Sequence, residues 1–407
     1  MVSSVIAALS SAYSFKPKEQ RIDVSGDHKF IAPDFSTDYR GPCPALNALA
    51  NHGYIPRNGI ASVEQIVKAS TEVFGIEKDF ATFTATYGIA FAASPNLKNL
   101  SIGAAVRPGD VPSDLRVGLS TRPQGLSLTH VGLEHDASPT RMDLYEKGSN
   151  GNNYDLSPSL FQQLLHRQEG IAEHKVNYNI KVLAHHRFQR IQDSIANNAD
   201  FFLQPFSGCF FQGNSYAVIY RAFANHSVEH PMGRLDRKTL MSFFGVYKDG
   251  DRLKYNKGGE RIPDIWYRRP HDDPYDIKKA NNDLLEMGEY HPELIDEYCA
   301  GSNLAGADEQ KTYAAIDMNK LTNGTYKSST LRDGYNLSCA AFTTSVQTAP
   351  WWLSRYYSKL GTMVMPRLLA TLQPLTGALG CKVLGGTLDE TLFQVFPGFK
   401  ESLNVPQ

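Results

Sequence analysis

Gly41-Pro42-Cys43-Pro44-Ala45-Leu46-Asn47-Ala48-Leu49-Ala50-Asn51-His52-Gly53-Tyr54-Ile55-Pro56-Arg57 is the stretch on which the reading of this chain turns. Cys43 stands between two prolines, and the apolar positions Leu46, Leu49 and Ala50 then recur at helical spacing. Proline suits the first turn of a helix, where its missing N–H has no partner to lose, so Pro44 predicts a helix with Cys43 at its N-terminus. Unpaired amides and the positive end of the helix dipole favour a thiolate there. A thiolate fixed in a rigid turn is a soft ligand for iron. On Pro-Cys-Pro alone, a buried structural cysteine is the commoner outcome.

A second stretch is Leu133-Glu134-His135-Asp136-Ala137-Ser138-Pro139-Thr140-Arg141-Met142-Asp143. Glu134 and Ser138 are four apart, so in a helical turn both side chains face one way. A carboxylate, a hydroxyl and a backbone carbonyl together make a hard oxygen site for magnesium or a similar cation. His135 and Asp136 suit acid–base work near neutral pH. The blander alternative is a polar helix start with solvated charges.

Composition narrows the class. The 407 residues carry 41 basic and 42 acidic side chains, a net charge of −1, which leaves no positive field to hold nucleic acid. Hydrophobic residues at 42% and charged residues at 20% describe a globular chain. Five cysteines are an odd number, so at least one has no partner within the chain. Residues 1–25 read as an N-terminal extension or a degenerate signal, since no basic residue precedes the weakly apolar start and serines interrupt it. Trp351 to Gln373 is broken by Arg355, Lys359, Pro366 and Arg367, so it predicts amphipathic helices and no transmembrane span. The acceptor triplets at Asn99, Asn225, Asn323 and Asn336 lean towards a secreted glycoprotein.

Helical signals dominate the first 250 residues. Ser62 with Gln65 has capping-box spacing, Ser157-Pro158 predicts a start closed by Gly170, His186 to Ile195 continues the pattern, and Asp236 heads a helix ending at Gly245. Tyr216 to Phe223 suits a strand or a buried helix. Residues 248–315 are charged and rich in Gly, Pro, Asp and Asn, and read as a loop-bearing insertion, expected over the access channel of the site. The expectation is a mainly α single domain over 26–407 with few short strands.

Together and in this order, the two stretches resemble the fungal haem-thiolate peroxidases, the family of chloroperoxidase and the unspecific peroxygenases. The resemblance is nearly continuous over 41–60 and strong over roughly 35–250; Leu100-Ser-Ile-Gly103, Arg187-Phe-Gln-Arg-Ile-Gln-Asp-Ser194 and the helix after Asp236 also match. It implies a chloroperoxidase-like fold around one haem b, with Cys43 as the thiolate ligand of iron. It further implies that Glu134, Ser138 and the carbonyl of His135 hold magnesium or manganese beside a haem propionate, and that Phe83 lines the substrate channel beside the haem, with plain core packing as its alternative. Hydrogen peroxide and a small organic substrate are the implied partners. Cys339 and Cys381 resemble the paired cysteines of the longer peroxygenases; two separate buried thiols are the alternative.

One departure stands out. Where the family carries an acid–base glutamate this chain has Asn214, and where longer members carry an arginine it has Ser207. An amide donates and accepts hydrogen bonds but does not shuttle a proton, which leaves His135, Asp136 and Asn214 as the candidate catalytic groups. The alternative function is a haem-thiolate rearrangement, dehydration or coupling of a pathway intermediate. Cys209, in the same divergent segment, is expected to line the pocket.

Overall fold

The structure, a computed structural model, describes residues 15–92, 98–107, 125–128, 135–304, 313–354, 356–357 and 359–403. Its longer helices are, in chain order, α1 (Pro44–Asn51), α2 (Val63–Phe74), α3 (Lys78–Phe91), α4 (Pro158–His166), α5 (Ile180–Asn197), α6 (Gly213–Phe223), α7 (Arg237–Phe243), α8 (Ile277–Tyr290), α9 (Asn336–Leu353) and α10 (Met365–Leu379). Strands are short and antiparallel. β1 (Ile60–Ser62) pairs with β2 (Asn99–Ser101) and β4 (Val246–Asp249) with β5 (Arg252–Tyr255). β6 (Gly301–Asn303) lies between β3 (Phe202–Leu203) and β7 (Tyr313–Ala315). The fold is mainly α, as expected from the sequence.

Local chemistry explains the helix starts. Ser62 and Gln65 form both bonds of a capping box at α2, and the helix ends at Gly75 in the left-handed region, φ 66°. Asn179 and Asp236 cap α5 and α7 through their side chains. Pro158 opens α4, but the Ser157 hydroxyl pairs with Ser159 instead of capping. Tyr216 to Phe223 is helical, within α6.

Within 248–304 the chain carries more regular structure than its composition suggests. Asp276 caps α8, and Ile277, Ala280, Leu284 and Met287 bury one face of it against α5 and α6. The sequence signal was present, an Asp followed by apolar residues at helical spacing, but the surrounding charges masked it. The run at 256–262 lies behind α1: Asn51 donates to the carbonyls of Gly258 (2.9 Å) and Glu260 (2.8 Å), and Ile262 N donates to His52 Nε2 (3.2 Å).

Aromatic side chains fill the interior around the helices. Phe223 stacks on Phe243 with centroids 4.2 Å apart, and Phe74 and Trp266 close edge-on around them. Such pairs contribute roughly 0.5–1.5 kcal/mol beyond their burial. Among the described residues no helix is long and apolar enough to cross a membrane. The weak signal up to residue 14, like Glu134, lies outside the described residues.

Candidate active site

The N-terminus of α1 forms one part of the site. Cys43 takes the N-cap position in an extended conformation (φ −93°, ψ 108°), and Pro44 is the first helical residue. Asn47, one turn on, clamps the preceding loop: its Oδ1 accepts from Gly41 N (3.0 Å) and its Nδ2 donates to Gly41 O (2.9 Å). Gly41 must be glycine, because a Cβ there would lie 2.1 Å from the Ile102 carbonyl oxygen. Arg40 adds a bond from Nε to Asn51 Oδ1 (2.8 Å). The cysteine is therefore held by backbone and amide contacts of its own helix.

Cys43 lines a cavity of about 330 Å³, within the usual range of ligand pockets. Leu46, Leu49, Phe74, Phe80, Phe210 and Phe211 supply much of its apolar wall. Burial pushes the thiol up; the amides of Leu46 and Ala45 and the Arg141 guanidinium act against that. Arg141 lines the same cavity, held by Tyr154 O (2.9 Å) and Thr140 Oγ1 (3.1 Å). Sequence reading missed Arg141, although it lies in the second quoted stretch.

A π-helical segment, Ser207–Gln212, runs into α6 and brings Asn214 to the cavity. Asn214 Nδ2 donates to Phe210 O (3.0 Å), and Tyr275 OH reaches its Oδ1 (3.3 Å) and Asp283 Oδ2 (2.8 Å). Asp283 in turn pairs with Arg221 at 2.6 Å. Tyr275 and Asp283 come from α8 and the loop before it, some 60 residues on, so no local pattern announced them. Ser207 is buried and does not line the cavity; its hydroxyl turns back to Gln204 O (3.5 Å). Cys209, expected at the pocket, is instead bonded to Cys299, which pulls the segment against the chain before β6. The approach is so close that a Cβ on Gly208 would lie 2.2 Å from Cys299 O. Cys339 and Cys381 form the second disulfide, which leaves Cys43 as the free cysteine.

His135 and Ser138 also line the cavity, on a loop that is not the expected helical turn. Ala137 sits at φ 55°, held there from three sides. Its N–H donates to Asp143 Oδ1 (2.8 Å), and its carbonyl accepts from Tyr216 OH (2.8 Å) and Gln212 Nε2 (3.2 Å). His135 Nδ1 bonds Asp136 O (2.9 Å). The Asp136 carboxylate points away into structure, accepting from Phe202 N (3.1 Å) and Asn198 Nδ2 (3.3 Å), so it is a loop anchor rather than a cavity group. Phe83 is likewise not on the cavity wall: it is buried among Tyr87, Phe206 and Phe342. Its neighbours along α3, Phe80 and Thr84, do line the cavity.

The site thus gathers one thiol at a helix end, one imidazole, one guanidinium, the amides of Asn153 and Asn214 and a few hydroxyls around a mostly apolar space. Residues 28–271 match the family described as Peroxidase, family 2. This chain belongs to that family. The peroxidase is 35% identical over 391 residues to an aromatic peroxidase of Fusarium equiseti, covering 94% of this chain and 84% of the relative. It is also 35% identical over 389 residues to the dothistromin biosynthesis peroxidase of Dothistroma septosporum, covering 95% and 88%. An aromatic peroxygenase of Cyclocybe aegerita matches at 37% over 239 residues, 57% of this chain and 56% of that one. As a member of this family, the peroxidase is a haem enzyme that uses hydrogen peroxide to oxidise an organic substrate.

Proposed function

We propose that Cys43 would hold the haem iron through its thiolate and that the peroxidase oxygenates or oxidises a small organic molecule in the cavity that Cys43 lines. The observation that carries this is the one free cysteine among the described residues, placed at a helix N-terminus on the wall of an apolar cavity. The donor set fits haem: a single soft ligand, helix-end amides that favour its thiolate, and aromatic walls that exclude water. Haem bound there supplies an iron at which a peroxide O–O bond is cleaved, a step that thiolate donation favours. Glu134, Ser138 and the His135 carbonyl are the groups that would hold a magnesium or manganese ion beside it; Ser138 lines the cavity. Two disulfides suit an oxidising compartment and support secretion.

The hydrogen bonds support roles for the other groups. One Asn214 N–H goes to Phe210 O, and the single Tyr275 hydroxyl hydrogen lies nearer Asp283 Oδ2 (2.8 Å) than Asn214 Oδ1 (3.3 Å), so the second amide N–H is the donor Asn214 can offer a peroxide oxygen. Proton transfer falls to His135, whose Nδ1 must carry the hydrogen it gives to the Asp136 carbonyl, leaving Nε2 as the basic nitrogen. Asp136 positions that ring through its backbone.

The test is peroxide-dependent oxidation of a simple aromatic by wild type beside Asn214→Glu and Cys43→Ala. Wild type should turn over, and a carboxylate at 214 should raise the rate at least about tenfold, since acid–base help is typically worth about 10²–10⁴-fold. Cys43→Ala should lose the red-shifted Soret band of the carbon monoxide adduct. Absence of peroxide turnover in both wild type and Asn214→Glu would shift the reading to a rearrangement or coupling on the same haem, which the amide at 214 favours.

A further inference from the structure

Behind the Cys43 loop lies a carboxyl group that the peroxidase reaction as described does not use. Glu260 is 0% exposed. Its Oε1 accepts from Asn47 Nδ2 (3.0 Å) and from Tyr255 OH (3.1 Å), while its Oε2 is buried and meets no hydrogen-bond donor. The contact with Asn47 is specific: both hydrogens of that amide are used, one on Gly41 O and one on Glu260, while its oxygen takes Gly41 N. Glu260 thus ends a chain of bonds that runs through Asn47 to the loop carrying Cys43.

Two donors on Oε1 and the buried cations around it favour the ionised form of Glu260, while burial and the donorless Oε2 act against it. Arg40 and Arg141 both act on Glu260 electrostatically. Arg141 lines the cavity and also acts on Cys43; its hydrogen bonds among the described residues go to a carbonyl and a hydroxyl, while the Glu260 and Asp155 carboxylates act on it electrostatically. A negative thiolate, a positive guanidinium and a negative carboxylate then share one poorly hydrated region. Charges in such a region are weakly screened, and each alters the electron density its neighbours hold. Burial pushes the Glu260 carboxyl up, and Asn47, Arg141 and Tyr255 oppose that shift.

We propose that Glu260 is a positioning and charge-setting residue of the proximal side: through Asn47 it fixes the Cys43 loop, and its negative charge offsets Arg141 to set how strongly the thiolate donates to haem iron. The inference rests on Cys43 being the haem ligand. Reduction potentials of such centres follow local net charge and hydrogen bonding around the sulfur. Removing the Glu260 charge leaves Asp155 as the remaining carboxylate acting on Arg141, draws density from sulfur and moves the potential up. Removing the Arg141 charge does the reverse.

The experiment measures the iron reduction potential and the carbon monoxide Soret position in haem-loaded wild type, Glu260→Gln and Arg141→Gln. Glutamine keeps an oxygen for Asn47 and Tyr255 while losing the charge. The expected result is a rise in potential for Glu260→Gln, with the Soret band moved to shorter wavelength, and a fall for Arg141→Gln. Unchanged potentials, or shifts of the same sign in both variants, would overturn the proposal, because loosened packing has no reason to change sign with charge. Should Glu260→Gln not fold, an unmoved potential in Arg141→Gln overturns it alone. A wild type without a thiolate-type Soret band would sink the assignment of Cys43 itself, which separates the two failures.

Discussion

Acid stability offers a sharp check, because several buried rings have nowhere to put a second proton. His186 donates Nε2–H to Pro139 O (2.7 Å), and its Nδ1 is buried with no partner. His52 accepts Ile262 N–H on Nε2 while giving Nδ1–H to His28 O (2.7 Å), so a proton on Nε2 would face a donor. His226 gives Nδ1–H to Pro231 O (2.8 Å), and burial pushes it down to about 4; burial takes His186 down to about 3. For rings depressed in this way, the unfolded chain takes up protons first. The stability they confer is complete above about 6.5, falls as the pH drops below that value, and is fully lost below the folded values. At about 1.4 kcal/mol per unit, pH 5 costs about 2 kcal/mol for His226, rising to about 3 kcal/mol below pH 4. Burial pushes Glu146, Glu260 and Glu286 up, which acts in the opposite sense, so the total change mixes signs. The clean readout is a difference: urea unfolding of wild type and His226→Gln at pH 7, 6 and 5. The stability advantage of wild type should shrink by about 2 kcal/mol from pH 7 to pH 5. An advantage that is the same at both ends refutes the reasoning.

Further outcomes follow from the cysteines and the surface. Mass mapping of the denatured, unreduced peroxidase should find a single alkylatable thiol, at Cys43; a second reactive cysteine contradicts the pairing. Replacing Cys209 and Cys299 by serine opens a loop of 90 residues, for which loop entropy gives about 4–5 kcal/mol, read as a lower urea midpoint without change in the alkylation of Cys43. In a glycosylating host, glycopeptide mapping should find glycan at exposed Asn99. Asn225, partly buried with its Oδ1 taking Tyr267 N at 2.8 Å, should be bare.

What the sequence disclosed and what it hid divide along chain distance. The Cys43 turn was legible because its determinants, two prolines and an apolar stripe, lie within one helix. The caps at Ser62 and Asp236 were legible for the same reason. The loop at 135–143 was misread as a helical turn because the bonds that hold Ala137 at positive φ come from Tyr216 and Gln212, more than 70 residues away. Glu260 was invisible for the same reason, its partner Asn47 being 213 residues distant. Cys209 sits amid aromatic residues, and its neighbours carry no trace of Cys299, 90 residues on. Phe80, Phe83 and Thr84 follow one another along α3, yet only the first and last reach the cavity, a distinction that rests on helix rotation of the kind a residue list does not carry.

The partition of the five cysteines has a consequence for how such a chain matures. While four of them oxidise, the fifth is a standing invitation to mispair, since exchange needs only a thiol that can reach a disulfide sulfur. Neither disulfide contributes a residue to the cavity wall on which Cys43 lies, and Cys43 is pinned by a proline on each side. In the folded chain, exchange between Cys43 and either bridge therefore needs the structure around them to open first.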